Sequence, residues 1–115
     1  MGLNIKNETG KLVTVVLGIA KDMGKPPSIE DCIDPKTKEN LINNTYPKEE
    51  DCINEIENFN NILLRNGVEV LRPNNIQDLN QIFTRDIAFV IEDKLFIPDI
   101  IKERNKEKDG IKYLL

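Results

Sequence analysis

A short stretch in the C-terminal half of the sequence places charged side chains directly against apolar ones. Arg85 and Asp86 stand before the apolar run IAFVI, and Glu92 and Asp93 follow it. A carboxylate at the end of a strand can accept two parallel N–H bonds from a planar guanidinium group. An aromatic side chain such as Phe83 can stack on the flat face of that cation. The pattern indicates either a pocket for a guanidinium group or a surface Arg85–Asp86 pair that binds no ligand.

The sequence contains no histidine, which removes the commonest general base and the commonest metal ligand. A Ser–His or Cys–His mechanism cannot be assembled from these residues alone. The two cysteines, Cys32 and Cys52, form no CxxC motif, and Cys52 falls on the apolar face of a predicted helix, which favours a buried thiol. We therefore expect no catalytic residue, no metal site and no cofactor in this chain.

Composition and charge narrow the choice of partners. The 115 residues are enough for one domain, with 39% hydrophobic and 31% charged residues. The net charge of -4 argues against nucleic acid, which requires a basic face. The longest uncharged apolar run, from Leu12 to Ala20, is far shorter than the ~20 residues that cross a bilayer. Since the N-terminus does not resemble a signal peptide, the expected location is the cytoplasm.

The first half of the chain predicts a strand, a long connection and a helix. The β-branched run from Leu12 to Gly18 is typical of a buried strand. In the proline-rich connection that follows, Asp34 before Pro35 predicts an N-cap and a short helix ending near Asn43. A connection of this length is typical of a functional lid, although an irregular surface loop is an equal alternative.

The clearest helix is predicted from Pro47 to Gly67. Its apolar stripe consists of Cys52, Ile56, Phe59 and Leu63. A second strand, Val68–Leu71, follows the helix, and strand, helix and strand together indicate an α/β arrangement.

The last third predicts short turns from Ile76 to Phe83, then a hairpin whose two strands flank Glu92 and Asp93. The segment from Asp99 to Leu115 is predicted to be mostly helical and to break near Gly110. It ends in the apolar residues YLL, which suggests that further sequence packs against them.

The order of these motifs resembles the guanidine-modifying enzyme superfamily, which includes arginine deiminases, dimethylarginine dimethylaminohydrolases and glycine amidinotransferases. In that superfamily an F-x-R-D element precedes a strand, a small or acidic turn, a second strand and an R-x-x-E pair. The matching residues here are Phe83, Arg85–Asp86, Glu92–Asp93, Arg104 and Glu107. VTVVLGIAKDMG and GVEVLRP resemble the first two strands of the superfamily, so the similarity extends from about Leu12 to Glu107.

The resemblance implies an α/β fold, namely the N-terminal portion of an α/β propeller built from pentein-type ββαβ units, with residues 1–115 as a single domain or fragment. It implies that Asp86 binds the substrate guanidinium and that Phe83 lines the same pocket. Glu92 and Asp93 match an acidic pair that the dimethylarginine hydrolases place near the guanidinium. Arg104 would either meet the carboxylate of an amino-acid substrate or pair with Glu107.

The resemblance also implies that the chemistry lies outside this chain. Members of the superfamily attack the guanidinium carbon with a late cysteine and transfer protons with a histidine. We therefore expect an N-terminal fragment of an amidinohydrolase or amidinotransferase acting on arginine or a related guanidino compound. It would be inactive until the missing C-terminal part or another chain completes it. The alternatives are a non-catalytic α/β module that binds a guanidinium ligand or a protein partner, and a structural α/β domain whose acids are merely solvated.

Overall fold

A parallel pair of strands forms the first sheet in the computed structural model, which describes residues 2–115. Strand β1 (Thr14–Val16) pairs in register with strand β2 (Glu69–Leu71). Backbone bonds extend the pairing by one residue at each end, from Glu69 to Val13 and from Leu17 to Leu71. Both strands lie within the predicted segments and are shorter than predicted.

The connection between the two strands contains helices α1 (Pro35–Ile42) and α2 (Glu49–Arg65). The predicted cap of α1 is confirmed, because the Asp34 carboxylate accepts a 2.7 Å hydrogen bond from the Thr37 N–H and Pro35 begins the helix. Such a cap satisfies a helix N–H group that would otherwise have no intrahelical partner.

The predicted end of α2 at Gly67 is confirmed in detail. Gly67 has φ of 76°, and the N–H groups of Gly67 and Val68 donate to the carbonyls of Leu64 and Leu63. This pair of bonds is a Schellman motif, which satisfies the last carbonyls of the helix and requires a left-handed residue at the glycine.

The predicted apolar stripe of α2 is only partly buried. Leu63 is 8% exposed, and Cys52 and Ile56 are half-buried. Phe59, predicted to be buried, is 50% exposed, and its neighbour Ile62 is 48% exposed. The prediction for Phe59 is wrong because the described residues provide no layer over this part of the apolar face of α2.

The segment after β2 returns antiparallel to the segment after β1. The Ile19 N–H donates to the Gln81 carbonyl at 3.1 Å, and the Leu79 N–H donates to the Asp22 carbonyl at 3.0 Å. Gly18 lies so close to this returning segment that an added Cβ would overlap the Ile82 carbonyl oxygen. The absence of a side chain at Gly18 therefore permits this close approach of the two backbones.

Strands β3 (Phe89–Ile91) and β4 (Lys94–Phe96) form the predicted antiparallel hairpin. Its two-residue turn is Glu92–Asp93, as predicted, and Glu92 takes the left-handed φ of 55° that hairpin turns require at this position. The N–H and C=O of Glu92 both bond to Ile5, at 2.6 and 2.9 Å, which ties the N-terminal segment to the turn.

The C-terminal segment is a continuous 3₁₀ helix, Lys102–Leu114. The predicted break at Gly110 is wrong, because Gly110 is buried inside this helix, next to the Gln81 side chain and the Asn74 carbonyl. A 3₁₀ helix has three residues per turn, so side chains three apart eclipse one another. Arg104, Glu107, Gly110 and Tyr113 accordingly share one face, and the Tyr113 hydroxyl donates to the Arg72 carbonyl.

The buried core is small and the exposed surface is large. The core contains Ala20, Met23, Leu63, Val68, Ile87 and Ile111. The chain exposes 8697 Å², whereas a folded monomer of 13.2 kDa exposes about 6,400 Å². Its radius of gyration is 15.4 Å, against about 13 Å for a compact domain of this length. Much apolar surface is therefore uncovered.

Candidate functional site

A short 3₁₀ turn, Thr84–Asp86, holds the predicted guanidinium-binding residue Asp86 and directly follows Phe83. The Asp86 N–H donates to the Phe83 carbonyl at 3.1 Å, and the Thr84 hydroxyl donates to the Val16 carbonyl at 2.9 Å. Ile87, which follows the turn, is 2% exposed and anchors it in the core. The turn is thus fixed against the carboxyl end of β1 before hairpin β3–β4 begins.

Asp86 binds a guanidinium group, and that group belongs to Arg104. Arg104 Nη1 donates to Asp86 Oδ2 at 3.0 Å. The remaining nitrogens donate to Glu107, Nε to Oε2 at 2.7 Å and Nη2 to Oε1 at 2.9 Å. This bidentate geometry is the strongest form of carboxylate recognition by arginine. We call Asp86, Arg104 and Glu107 the carboxylate–guanidinium cluster.

Burial within the carboxylate–guanidinium cluster is uneven. The Glu107 side chain is 4% exposed, that of Arg104 is 30% exposed and that of Asp86 is 43% exposed. The hydrogen bond from Arg104 to Glu107 raises the pKa of the guanidinium above its ordinary value, partial burial opposes the rise, and Asp86 adds to it. Arg104 is therefore permanently charged, and of the two predicted roles the structure shows its pairing with Glu107.

The alternative interpretation of Arg85 and Asp86 was a surface ion pair, and in the structure this pair makes only a weak contact. Arg85 Nε lies 3.8 Å from Asp86 Oδ1, and the Arg85 side chain is 90% exposed. Pairs of this kind between solvated groups contribute about 0–1 kcal/mol. Arg104 is thus the dominant cation at Asp86.

Phe83 lines a groove of about 290 Å³ between α1, α2 and the returning segment. The groove walls are formed by Met23, Thr37, Asn40, Tyr46, Pro47, Cys52, Glu55, Ile56, Asn80, Ile82 and Phe83. Among residues 2–115, Asp86 is not part of this wall. The structure therefore joins Phe83 and Asp86 through one backbone turn without placing both side chains in one pocket.

The predicted acidic pair lies at the far end of β3 from Asp86, because β3 separates the 3₁₀ turn from the hairpin turn. Both residues are exposed. Asp93 Oδ1 lies 3.5 Å from Lys94 Nζ. Glu92 and Asp93 are thus not brought together with Asp86.

Tyr46 and Cys52 are groove residues that the sequence did not single out as a site. Burial raises the pKa of the Cys52 thiol, and the carboxylates of Glu55, Asp51 and Glu49 raise it further. Burial likewise raises the pKa of the Tyr46 hydroxyl. The position of Tyr46 before Pro47, at the start of a strong helix, is the signal that could have identified it.

Gln81 is a second residue that the sequence analysis missed. It is 3% exposed, its Nε2 donates to the Asn74 carbonyl at 2.9 Å, and its Oε1 accepts from the Ile76 N–H at 2.8 Å. Its amide holds the segment that carries Phe83 against the loop after β2. No local pattern in the sequence reveals a buried amide of this kind.

Comparison with known proteins does not assign a family, because no protein-family model and no curated protein matches this sequence. Within residues 2–115, no group of three or more Cys, Asp or Glu side chains could hold a metal ion. In that same range, no helix has the length and apolar character needed to cross a membrane.

Proposed function

We propose that this chain is the N-terminal portion of an amidinohydrolase or amidinotransferase that acts on the guanidinium group of arginine or a related compound. In this proposal the fold is the first part of a pentein-type α/β propeller. The observation that carries the proposal is that Asp86, which the motif order assigns to guanidinium binding, accepts a hydrogen bond from a guanidinium group, that of Arg104, at 3.0 Å. The location proposed with it is the cytoplasm, where the two unbridged cysteines remain thiols.

The guanidinium of a substrate would compete with Arg104 for Asp86 or share Asp86 with it. Oδ2 accepts from Arg104, whereas Oδ1 lies beyond hydrogen-bond distance of its nearest described cation, Arg85 Nε at 3.8 Å. Oδ1 can therefore accept an N–H bond from a ligand. Phe83 is 52% exposed and offers an aromatic face three residues before Asp86.

The uncovered apolar surface supports the view that further structure packs on this chain. Hairpin β3–β4 is apolar on both faces. Val90 and Leu95 are half-buried on one face, while Phe89 and Phe96 stack at 5.3 Å between ring centroids on the other. Phe89 and Phe96 are 45% and 40% exposed. A two-stranded hairpin is marginal in water and requires a further layer for stability.

The catalytic step is assigned to residues outside the 115 described by this sequence. The chain has no histidine to transfer protons. The raised pKa of Cys52 keeps its thiol protonated at neutral pH, which is the opposite of what a nucleophilic cysteine needs. The proposed whole enzyme would attack the guanidinium carbon with a thiolate supplied by the missing part or by another chain.

Ligand titration monitored by NMR tests the proposal. Butylguanidine added to the chain is expected to shift the amide signals of residues 83–87. Asp86→Asn should remove these shifts, because an amide cannot match the charge-assisted bonds of a carboxylate. Asp99→Asn is the matched control, since Asp99 is exposed and outside the turn.

Thermal unfolding of each variant shows whether it is folded, so that ligand binding is compared between folded proteins. A wild-type chain whose spectrum does not change with butylguanidine contradicts the proposal. So does a folded Asp86→Asn variant that binds as well as the wild type.

A non-catalytic binding module is the second candidate. It is favoured by the fact that all three residues of the carboxylate–guanidinium cluster belong to this chain, so the cluster forms without a further part of an enzyme. The two candidates differ in surface chemistry. A module should unfold cooperatively as a monomer without binding hydrophobic dyes. A propeller portion should associate or bind such dyes through Phe59, Phe89 and Phe96.

A further inference from the structure

The groove lined by Phe83 has a distinctive charge pattern. Glu55 is the single charged residue among the eleven that form its wall, so the described wall carries one carboxylate and no Lys or Arg. Glu55 is exposed, and no ion pair engages it within residues 2–115. Asp51 and Glu49 lie close enough to add negative potential around Cys52.

The aromatic side chains of the groove suit a cationic ligand. Tyr46 and Phe83 both belong to the wall. Helix α2 carries Glu55, and in the sequence Tyr46 lies before this helix and Phe83 after it. Aromatic faces attract alkylammonium groups through their negative quadrupole, and a nearby carboxylate strengthens the attraction. A substrate carboxylate in the same place would be repelled by Glu55.

The arginine that could have bound a substrate carboxylate is already paired within the chain. All three nitrogens of Arg104 donate to the chain's own carboxylates, at 2.7 and 2.9 Å to Glu107 and at 3.0 Å to Asp86. Glu107 is 4% exposed, so releasing Arg104 would leave a buried carboxylate without its partner. Such a loss costs several kcal/mol. Arg104 therefore stays with Glu107, and a ligand carboxylate would have to share its positive charge with Glu107 and Asp86.

We propose that the substrate is a guanidino compound whose tail carries an amine rather than a carboxylate, with the ammonium group held in the groove by Glu55, Tyr46 and Phe83. This inference rests on the proposed function, since it places the guanidinium at Asp86. Phe83 of the groove wall and Asp86 belong to one turn, which the bond from the Asp86 N–H to the Phe83 carbonyl closes, so a ligand that spans both sites would cross this turn. The tail would extend past Phe83 towards α2.

Three ligands that differ only at the tail test this inference on the full chain. They are 4-aminobutylguanidine, butylguanidine and 4-guanidinobutyrate, which carry a positive, a neutral and a negative tail. Dissociation constants from NMR titration should rank in that order. An exposed ion pair contributes up to about 1 kcal/mol, so the amine should bind about fivefold more tightly than butylguanidine.

Glu55→Gln should bring the affinity of the amine down to that of butylguanidine and leave butylguanidine binding unchanged. Glu50→Gln is the matched control, because Glu50 is exposed on the same helix and outside the groove wall. This variant should keep the fivefold preference.

The outcomes separate this inference from the proposed function. Binding of butylguanidine without any preference for the amine overturns the inference alone, as does tightest binding of 4-guanidinobutyrate. Retention of the preference in Glu55→Gln overturns it as well. Failure of all three ligands to bind overturns both this inference and the proposed function.

Discussion

Replacing Glu107 with glutamine should destabilise the fold far more than replacing any exposed acid. Glu107 is 4% exposed and accepts two hydrogen bonds from Arg104. Glutamine keeps the size of the side chain, but it removes the negative charge and presents an NH₂ group to one of the guanidinium donors. The folded state then contains a guanidinium that has lost its buried counter-ion.

The magnitude follows from the burial of the two partners. Removing one member of a fully buried ion pair costs about 3–5 kcal/mol. Arg104 is 30% exposed and retains its 3.0 Å bond to Asp86, so water and Asp86 compensate in part. We expect the free energy of unfolding to fall by about 2–3 kcal/mol. With an m-value near 1–2 kcal/mol/M, the urea midpoint should fall by roughly 1–3 M.

Urea unfolding monitored by circular dichroism measures this change, with Glu103→Gln as the control. Glu103 lies four residues earlier in the same 3₁₀ helix and is exposed, so its replacement should change the free energy by less than about 0.5 kcal/mol. If Glu107→Gln shifts the midpoint no more than Glu103→Gln does, then the buried bidentate pair does not hold the C-terminal segment in place.

Three further predictions concern other contacts. Gly18→Ala should lower the free energy of unfolding by about 2–3 kcal/mol, because its Cβ would overlap the Ile82 carbonyl; Gly2→Ala, which meets nothing within 4 Å, should have no effect in the same urea assay. Asp34→Ala should destabilise the chain at neutral pH, since the hydroxyl and N–H of Thr37 lower the pKa of the Asp34 carboxyl. A carboxyl whose pKa is lowered by folding stabilises the folded state at pH values above its unfolded pKa, near 4, and loses this effect as the pH falls through its folded pKa. The difference in free energy of unfolding between wild type and Asp34→Ala should therefore shrink in acid, and a difference that is independent of pH would contradict the prediction. In a variant without Cys32, iodoacetamide should alkylate Cys52 more slowly in the folded chain than in urea, because burial and neighbouring carboxylates raise the pKa of the Cys52 thiol. Equal alkylation rates in the two conditions would show that folding does not protect Cys52.

Local elements were predictable from the sequence because their signals are local. Asp34 before Pro35 correctly marks the start of α1, and Gly67 correctly marks the end of α2. The two-residue hairpin turn at Glu92–Asp93 follows from the two apolar runs beside it. Caps, turns and strand alternation depend on residues within a few positions, so one sequence suffices to place them.

Predictions that depended on packing were less successful. The apolar periodicity of α2 includes Phe59, yet Phe59 is 50% exposed because the described residues provide no layer to cover it. Gly110 is a helix breaker by propensity, but it lies inside a 3₁₀ helix where the Gln81 side chain leaves no room for a larger residue. In both cases the neighbour that decides the outcome is remote in sequence.

The sequence by itself determined the strands, the two α-helices, the hairpin turn and the absence of a histidine. Only the tertiary structure decided that the guanidinium at Asp86 is that of Arg104 and that Phe83 faces a groove with Glu55. The physical reason is the range of the interactions. Hydrogen bonds within a turn are set by adjacent residues, whereas the partner of a carboxylate depends on which distant segment the folded backbone brings within about 3 Å.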